Sequence, residues 1–173
     1  MSDQETILIV NENDEVVGSA PRKQAQQQGL WHRIVCVYIV NSKGEIYIQK
    51  RGSQVDLYPN VWDHSSAGHV DSGEDVVIAA KRELFEELGI KAKKLTQIAY
   101  YKRQSQYKDR VLNRYWYLYE YRYDGPIKLQ KSEISEGKFV SPTWLKKDIK
   151  DYPDKYTGGC KETFRNYLIY HNL

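Results

Sequence analysis

Residues 68–90, GHVDSGEDVVIAAKRELFEELGI, constrain this chain more than any other segment. Val77, Ala80, Leu84 and Leu88 recur at spacings of three and four, which places them on one face of an α-helix. Gly89 follows as a residue free to take the left-handed conformation that ends helices. The pattern predicts a helix over about 74–88. At about 100° per residue, Glu83 neighbours both Glu86 and Glu87, so three carboxylates converge on one patch of that helix.

The segments around it read mainly as strands. Residues 34–40 form a continuous apolar run and residues 45–49 alternate, with Asn41-Ser-Lys-Gly44 as the turn between them. Residues 7–10 and 16–17 flank the turn formers 11–14 and predict a hairpin, followed by a short helix over 21–28. Residues 95–102 and 111–123 are rich in Tyr, Leu and Trp and read as long strands joined through the polar segment 103–110. Residues 52–67 read as loop, 127–129 as a short strand, and 142–149 and 161–170 as helices. This order predicts a mixed α+β chain: helices on a mixed central sheet, in one domain with a hairpin-helix addition over residues 1–30 and the main unit over 31–173.

Composition narrows the partners. The 26 Lys and Arg against 23 Asp and Glu leave a net charge of +3, and both signs are mixed along the chain, so no nucleic-acid partner is expected. Cys36 and Cys160 sit outside any CxxC or Cys/His cluster and read as reduced thiols. The start MSDQETILIV lacks a basic region followed by a long apolar core, and no apolar stretch reaches membrane-spanning length. A cytoplasmic protein without a membrane partner is expected. A homodimer is compatible with the sequence but not indicated by it.

Converging carboxylates repel unless a cation sits among them. Mg²⁺ takes hard oxygen ligands in octahedral geometry, so Glu83, Glu86 and Glu87 with substrate phosphate oxygens make a fitting shell, and Mn²⁺ is a substitute. A plain charge run is more often a solvated helix face. Two features favour the metal reading. Arg82 lies one turn before Glu86 and could orient a carboxylate, while Gly68 and Gly73 permit a tight loop onto the helix start. Glu74 either ties that loop to the helix or is a first-turn acid favourable to the helix dipole.

Residues 68–90 fit G-x5-E-x7-R-E-U-x-E-E-x-G-U at every fixed position, U being bulky and aliphatic. The chain therefore resembles the Nudix hydrolases. The resemblance implies a Nudix-type α/β/α sandwich and cleavage of a diphosphate linkage in a small molecule, with a nucleoside diphosphate or derivative as the leading class. It also implies the Gly68 carbonyl as a further metal ligand, and Glu83 is the candidate base. Glu133 and Glu136 fall where the family often supplies another carboxylate, or else form an exposed acidic loop. Lys50 and Arg51 end a strand where cations could meet a diphosphate, or are a solvated strand end. Loops 52–62 and 103–110 would choose the rest of the substrate. Tyr100, Tyr101, Tyr115, Trp116 and Tyr117 read as core packing rather than a base-stacking platform.

LWHRIVCVYIV, IYIQKR and YPNVWDHSSAGHV further resemble the branch that includes type I isopentenyl-diphosphate isomerases. His32 and His69 match two of that pattern's metal-binding histidines. A third falls at Ala25, the two carboxylates near Leu112 and Arg114, and the catalytic Cys at Ala67. The glutamates that isomerases degrade are intact here. The balance is a hydrolase on an isomerase-like scaffold, with an isomerase or a non-catalytic nucleotide-binding domain as alternatives. His32, His64 and His69 are left without a role.

Overall fold

The computed structural model describes residues 5–173; residues 1–4, the first part of the segment read above for a leader, lie outside the described residues. β1 (Thr6–Val10) and β2 (Val16–Pro21) form a hairpin, and α1 (Arg22–Gln27) leads into β3 (His32–Val40). β3 organises the sheet. Along one edge it pairs in parallel with β8 (Arg110–Arg122), from His32↔Arg114 to Val40↔Arg122. Along its other edge it meets, all antiparallel, β1 at Ile9↔His32, β6 (Ser66–His69) from Ile34↔His69 to Val37↔Ser66, and β4 (Ile46–Arg51) at Val40↔Ile46. β7 (Thr96–Tyr107) lies outside β8, while β5 (Trp62–Asp63) and β9 (Ile134–Val140) flank β4. The sheet is therefore open and mixed.

Both faces of β3 are covered, which is why its sequence is apolar without alternation. Ile34, Cys36, Tyr38 and Val40 pack under α3 (Pro142–Asp151) and α4 (Gly158–His171) together with Leu145, Cys160 and Phe164. Val35, Val37 and Ile39 face the opposite way onto α2 (Val76–Leu88) with Ala79, Ala80, Leu84 and Leu88. Burying each such Val, Leu or Ile contributes about 1.5–3 kcal/mol. The result is the expected α/β/α layering. No helix among the described residues is long and apolar enough to cross a membrane.

Several local expectations need correction. α2 begins at Val76 because Asp75 caps it, its carboxylate accepting the Val77 N–H at 2.8 Å. Val77 points outward, and the buried stripe runs Ala79, Ala80, Glu83, Leu84, Glu87 and Leu88. The buried face of the helix thus includes two of its acids. The presumed loop 52–67 contains β5 and β6, and the presumed linker 103–110 is mostly strand, with β7 and β8 turning at residues 108–109. Residues 127–129 form no strand. They lie against the end of α2, where the N–H groups of Lys128 and Gln130 donate to the carbonyls of Leu88 and Glu87 at 3.0 and 2.9 Å. Those bonds satisfy carbonyls that a helix end leaves open. Glu136, read in an acidic loop, belongs to β9 opposite Lys50.

Candidate active site

Two cavities lie near each other where β6 passes α2. The smaller, about 100 Å³, is lined by Glu83, Glu86, Glu87, Gln130 and Glu133. The larger, about 620 Å³, opens on the other side of β6 over Ala67, Gly68, His69, Arg51, Arg114 and Trp116. Glu133 lines both. It is carried there by the 127–133 segment on the end of α2 and by the Gly52 N–H, which donates to the Glu133 carbonyl at 2.7 Å.

Glu83 and Glu87 are 3% and 4% exposed, whereas Glu86 faces solvent. Glu83 crosses directly over Gly68. A Cβ at that position would stand 2.0 Å from the Glu83 carboxyl carbon, so the backbone must be bare there. Arg82 organises the cluster. Its Nη1 donates to Glu83 at 2.7 Å and to Glu86 at 3.4 Å, and its Nε and Nη2 hold Glu74 through a bidentate pair at 2.9 Å each. Nη2 also donates to the His69 carbonyl at 3.0 Å. Glu74 accepts the Asp71 N–H at 3.1 Å, so it ties the loop containing Gly73 to the helix. Glu87 accepts the Ala67 N–H at 3.2 Å and the Gln49 amide at 3.3 Å.

Burial raises both buried carboxyls above the usual carboxylate range, Glu83 to about 7 against the opposing pull of Arg82, and Glu87 well up with the help of Glu83 beside it. Among the described residues no three acidic, His or Cys side chains close on one point, because Glu83 is turned to Arg82 and Glu87 to Gln49 and Ala67. The donor set of carboxylates and an amide around one small cavity still suits a hard divalent cation.

Not every expected residue reaches the site. Lys50 lines neither cavity, and its ammonium lies 3.0 Å from Glu136, which lines neither as well. Arg51 lines the large cavity but is held by the Leu57 carbonyl at 2.9 Å and by Asp63 at 3.3 Å. Trp116 is core on one side and cavity wall on the other. Tyr115 is buried away from it, and Tyr100 is exposed.

The histidine pair makes a poor metal site. The His32 and His69 rings stand 5.3 Å apart, both buried. His32 Nδ1 bonds the Leu30 carbonyl at 2.9 Å, which can only accept, so Nδ1 carries the proton and Nε2 offers a lone pair. The Nε–H of Arg114 takes that lone pair at 3.4 Å. A fixed cation thus occupies the place where the isomerase pattern puts a carboxylate. Neither buried cysteine lines a cavity, and Ala67 presents no thiol.

Gln49, Gln130, Arg22 and Arg114 were not predicted as site residues. Gln49 shares the strand that was predicted to bring Lys50 and Arg51, and Arg114 shares a face of β8 with Trp116 and Leu118, an alternation visible in the sequence.

Comparison with known proteins gives the same placement. The family model described as the NUDIX domain matches residues 30–157. The chain is 34% identical over 168 residues to the uncharacterized Nudix hydrolase PA4841 of Pseudomonas aeruginosa, covering 96% of this chain and 95% of that protein. It is 29% identical over 177 residues to isopentenyl-diphosphate Delta-isomerase 2 of Photorhabdus laumondii, covering 98% and 95%. The crystal structure of DR0079 from Deinococcus radiodurans superposes with a TM-score of 0.76 at 30% identity, covering 93% of this chain and 98% of that one. With an intact glutamate helix on a scaffold shared with isomerases, the chain belongs to the Nudix family.

Proposed function

We propose that this protein hydrolyses a diphosphate linkage in a small molecule in the presence of Mg²⁺ or Mn²⁺, with a nucleoside diphosphate or a derivative as the leading substrate class. The observation that carries the reading is the closeness of the two cavities. A carboxylate-lined hollow and a pocket of about 620 Å³, of small-molecule size, share Glu133, and Glu83 of the first packs against Gly68 of the second.

Glu83, Glu86, Glu87 and the Gly68 carbonyl are the groups that would hold the cation. When bound, it supplies charge neutralisation on the phosphates and lowers the pKa of water at the site. The protein's own contribution is arrangement. Arg82 fixes Glu83 and Glu86, the Ala67 N–H and Gln49 fix Glu87, and Arg51 lends positive charge at the pocket mouth. Glu83 and Glu133 are the two candidate bases for the attacking water, and the bridging oxygen leaves as a phosphate. Glu133→Gln decides between them: a kcat loss of about 100-fold or more, the scale of general-base catalysis, assigns the base to Glu133.

The isomerase reading has relatives in its favour but lacks chemistry at the site, because a proton shuttle needs a thiol where Ala67 stands. Isopentenyl diphosphate incubated with the protein should yield no allylic isomer. The hydrolase reading is tested by a panel of diphosphate compounds with Mg²⁺, read by product mass. Cleavage by the wild type and none by Glu86→Gln or Glu87→Gln is expected, and turnover by both variants at the wild-type rate would exclude it.

A further inference from the structure

The cations around the large cavity differ in how they are held. Arg51 is engaged by Asp63 and the Leu57 carbonyl, and Arg22 lies 3.6 Å from Glu5. Arg114 has no carboxylate within ion-pair distance among the described residues, and its one hydrogen bond is the long contact to neutral His32. Its surroundings compensate only in part. Burial, with Arg103 and Arg51 nearby, outweighs the favourable fields of Tyr58 and Asp63 and lowers the guanidinium to about 10, so it remains charged at neutral pH. A half-buried cation with no carboxylate paired to it is costly to the folded state and is suited to a ligand that supplies the anion.

The same wall holds other polar groups without partners. The register His32↔Arg114, Ile34↔Trp116 and Ile34↔His69 sets Arg114, Trp116 and His69 on one face of three adjacent strands. Trp116 is 4% exposed and its indole N–H has no acceptor; His69 is 5% exposed and neither ring nitrogen is hydrogen-bonded. All three line the cavity next to Gly68. An indole and a guanidinium can only donate, so the missing partner is an acceptor carrying negative charge.

We propose that Arg114 is the oxyanion anchor of this site: with the Trp116 N–H it binds a phosphate oxygen of the substrate on the cavity side of Gly68, opposite the glutamates. The guanidinium there does with a fixed charge what a second bound cation would do, beside a His32 that has no carboxylate partner among the described residues and a His69 whose nearest carboxylate, Glu5, stands 3.7 Å away. Its planar fork matches phosphate geometry, so a Lys would be an incomplete replacement. The proposal rests on the diphosphate reading of the site but not on turnover.

The test is calorimetric titration of inorganic pyrophosphate into the protein in EDTA, for wild type, Arg114→Gln, Arg114→Lys and Asp75→Ala. Saturable binding by wild type is expected, weakened at least tenfold in Arg114→Gln, weakened to a lesser degree in Arg114→Lys, and retained in Asp75→Ala. If Arg114→Gln does not fold, the Lys variant alone decides. With a substrate that wild type cleaves, Arg114→Gln should raise KM by a larger factor than it lowers kcat. Absence of pyrophosphate binding by wild type, or equal affinity in wild type and both Arg114 variants, overturns the anchor. Arg114-dependent pyrophosphate binding in a protein that cleaves no diphosphate would support the anchor while removing the hydrolase reading, so the two failures are separable.

Discussion

At the scale of one residue, the proposed role of Glu87 works against stability, because its carboxyl is buried. Glu87 lies on the buried stripe of α2, where an apolar residue would pack, and accepts from the Gln49 amide and the Ala67 N–H. Glu87→Gln keeps the shape and removes the charge. It should stabilise the metal-free protein at neutral pH and raise its Tm, since burial and the neighbouring Glu83 hold the Glu87 carboxyl well above the usual carboxylate range. Mg²⁺ should raise the Tm of the wild type but leave that of Glu87→Gln nearly unchanged, as scanning calorimetry with and without the ion would show. A lower Tm for the metal-free variant would mean that Glu87 is structural. Gly68→Ala should fail differently, because its methyl collides with the Glu83 carboxyl. Overpacking of this kind costs about 1–3 kcal/mol, and turnover should fall with it. The glutamates, Arg82 and Gly68 were legible because their spacing is fixed within one helix and its leading loop. Arg114 was not, since its meaning depends on the absence of a carboxylate, which only three-dimensional packing reveals.

Among the elements, α2 is the one on which the site depends, and its ends are fixed by residues that take no part in chemistry. Asp75 caps its start, and Gly89, at φ +69°, ends it with its N–H on the carbonyls of Leu84 and Phe85. Asp75→Ala should cost about 1 kcal/mol, visible as a Tm lower by about 2–4 °C, while kcat stays within twofold because the carboxylates lie two turns further on. A loss of turnover without a loss of stability would place Asp75 in the machinery instead. The hairpin, β3, β4 and the C-terminal helices were readable because alternation, turn formers and caps such as Ser141 act locally. β9 was not. It buries only Ile134 and Val140 at its ends and is a strand because β4 pairs with it from Ile46↔Val140 to Arg51↔Ile134. Tertiary pairing of this kind overrides the polar composition of SEISEG.

For the molecule as a whole, buried ionisable groups set a characteristic response to acid. Burial, and then Arg114, hold His32 down to about 3 from 6.5, and His69 is depressed well below its usual range by burial and by His32. The unfolded chain takes up protons near 6.5 that these folded histidines refuse. Their contribution to stability is therefore complete above pH 6.5 and is lost as pH falls toward about 3. Glu83 and Glu87 act with the opposite sign. Folded, they keep protons that the unfolded chain releases above 4.5, so the metal-free protein gains stability as pH falls through about 7 toward 4.5. Below about 4.5 the histidine loss stands unopposed by that gain. Denaturant titrations at pH 4.5 and 3.5 should show wild type losing at least about 1.4 kcal/mol across that unit, one proton's worth, and His32→Gln losing less. An equal loss in both would remove His32 from the account.

We propose that Glu83, Glu86 and Glu87 act together on a diphosphate presented from the pocket that Gly68 lines. The direct measurement is product mass after incubation with a panel of nucleoside diphosphates and their derivatives in Mg²⁺, run in parallel on wild type and Glu87→Gln. Phosphate-terminated products are expected from the wild type, abolished by EDTA and absent from the variant. Intact substrates throughout the panel with wild type, or the same products at the same rate from Glu87→Gln, would contradict it.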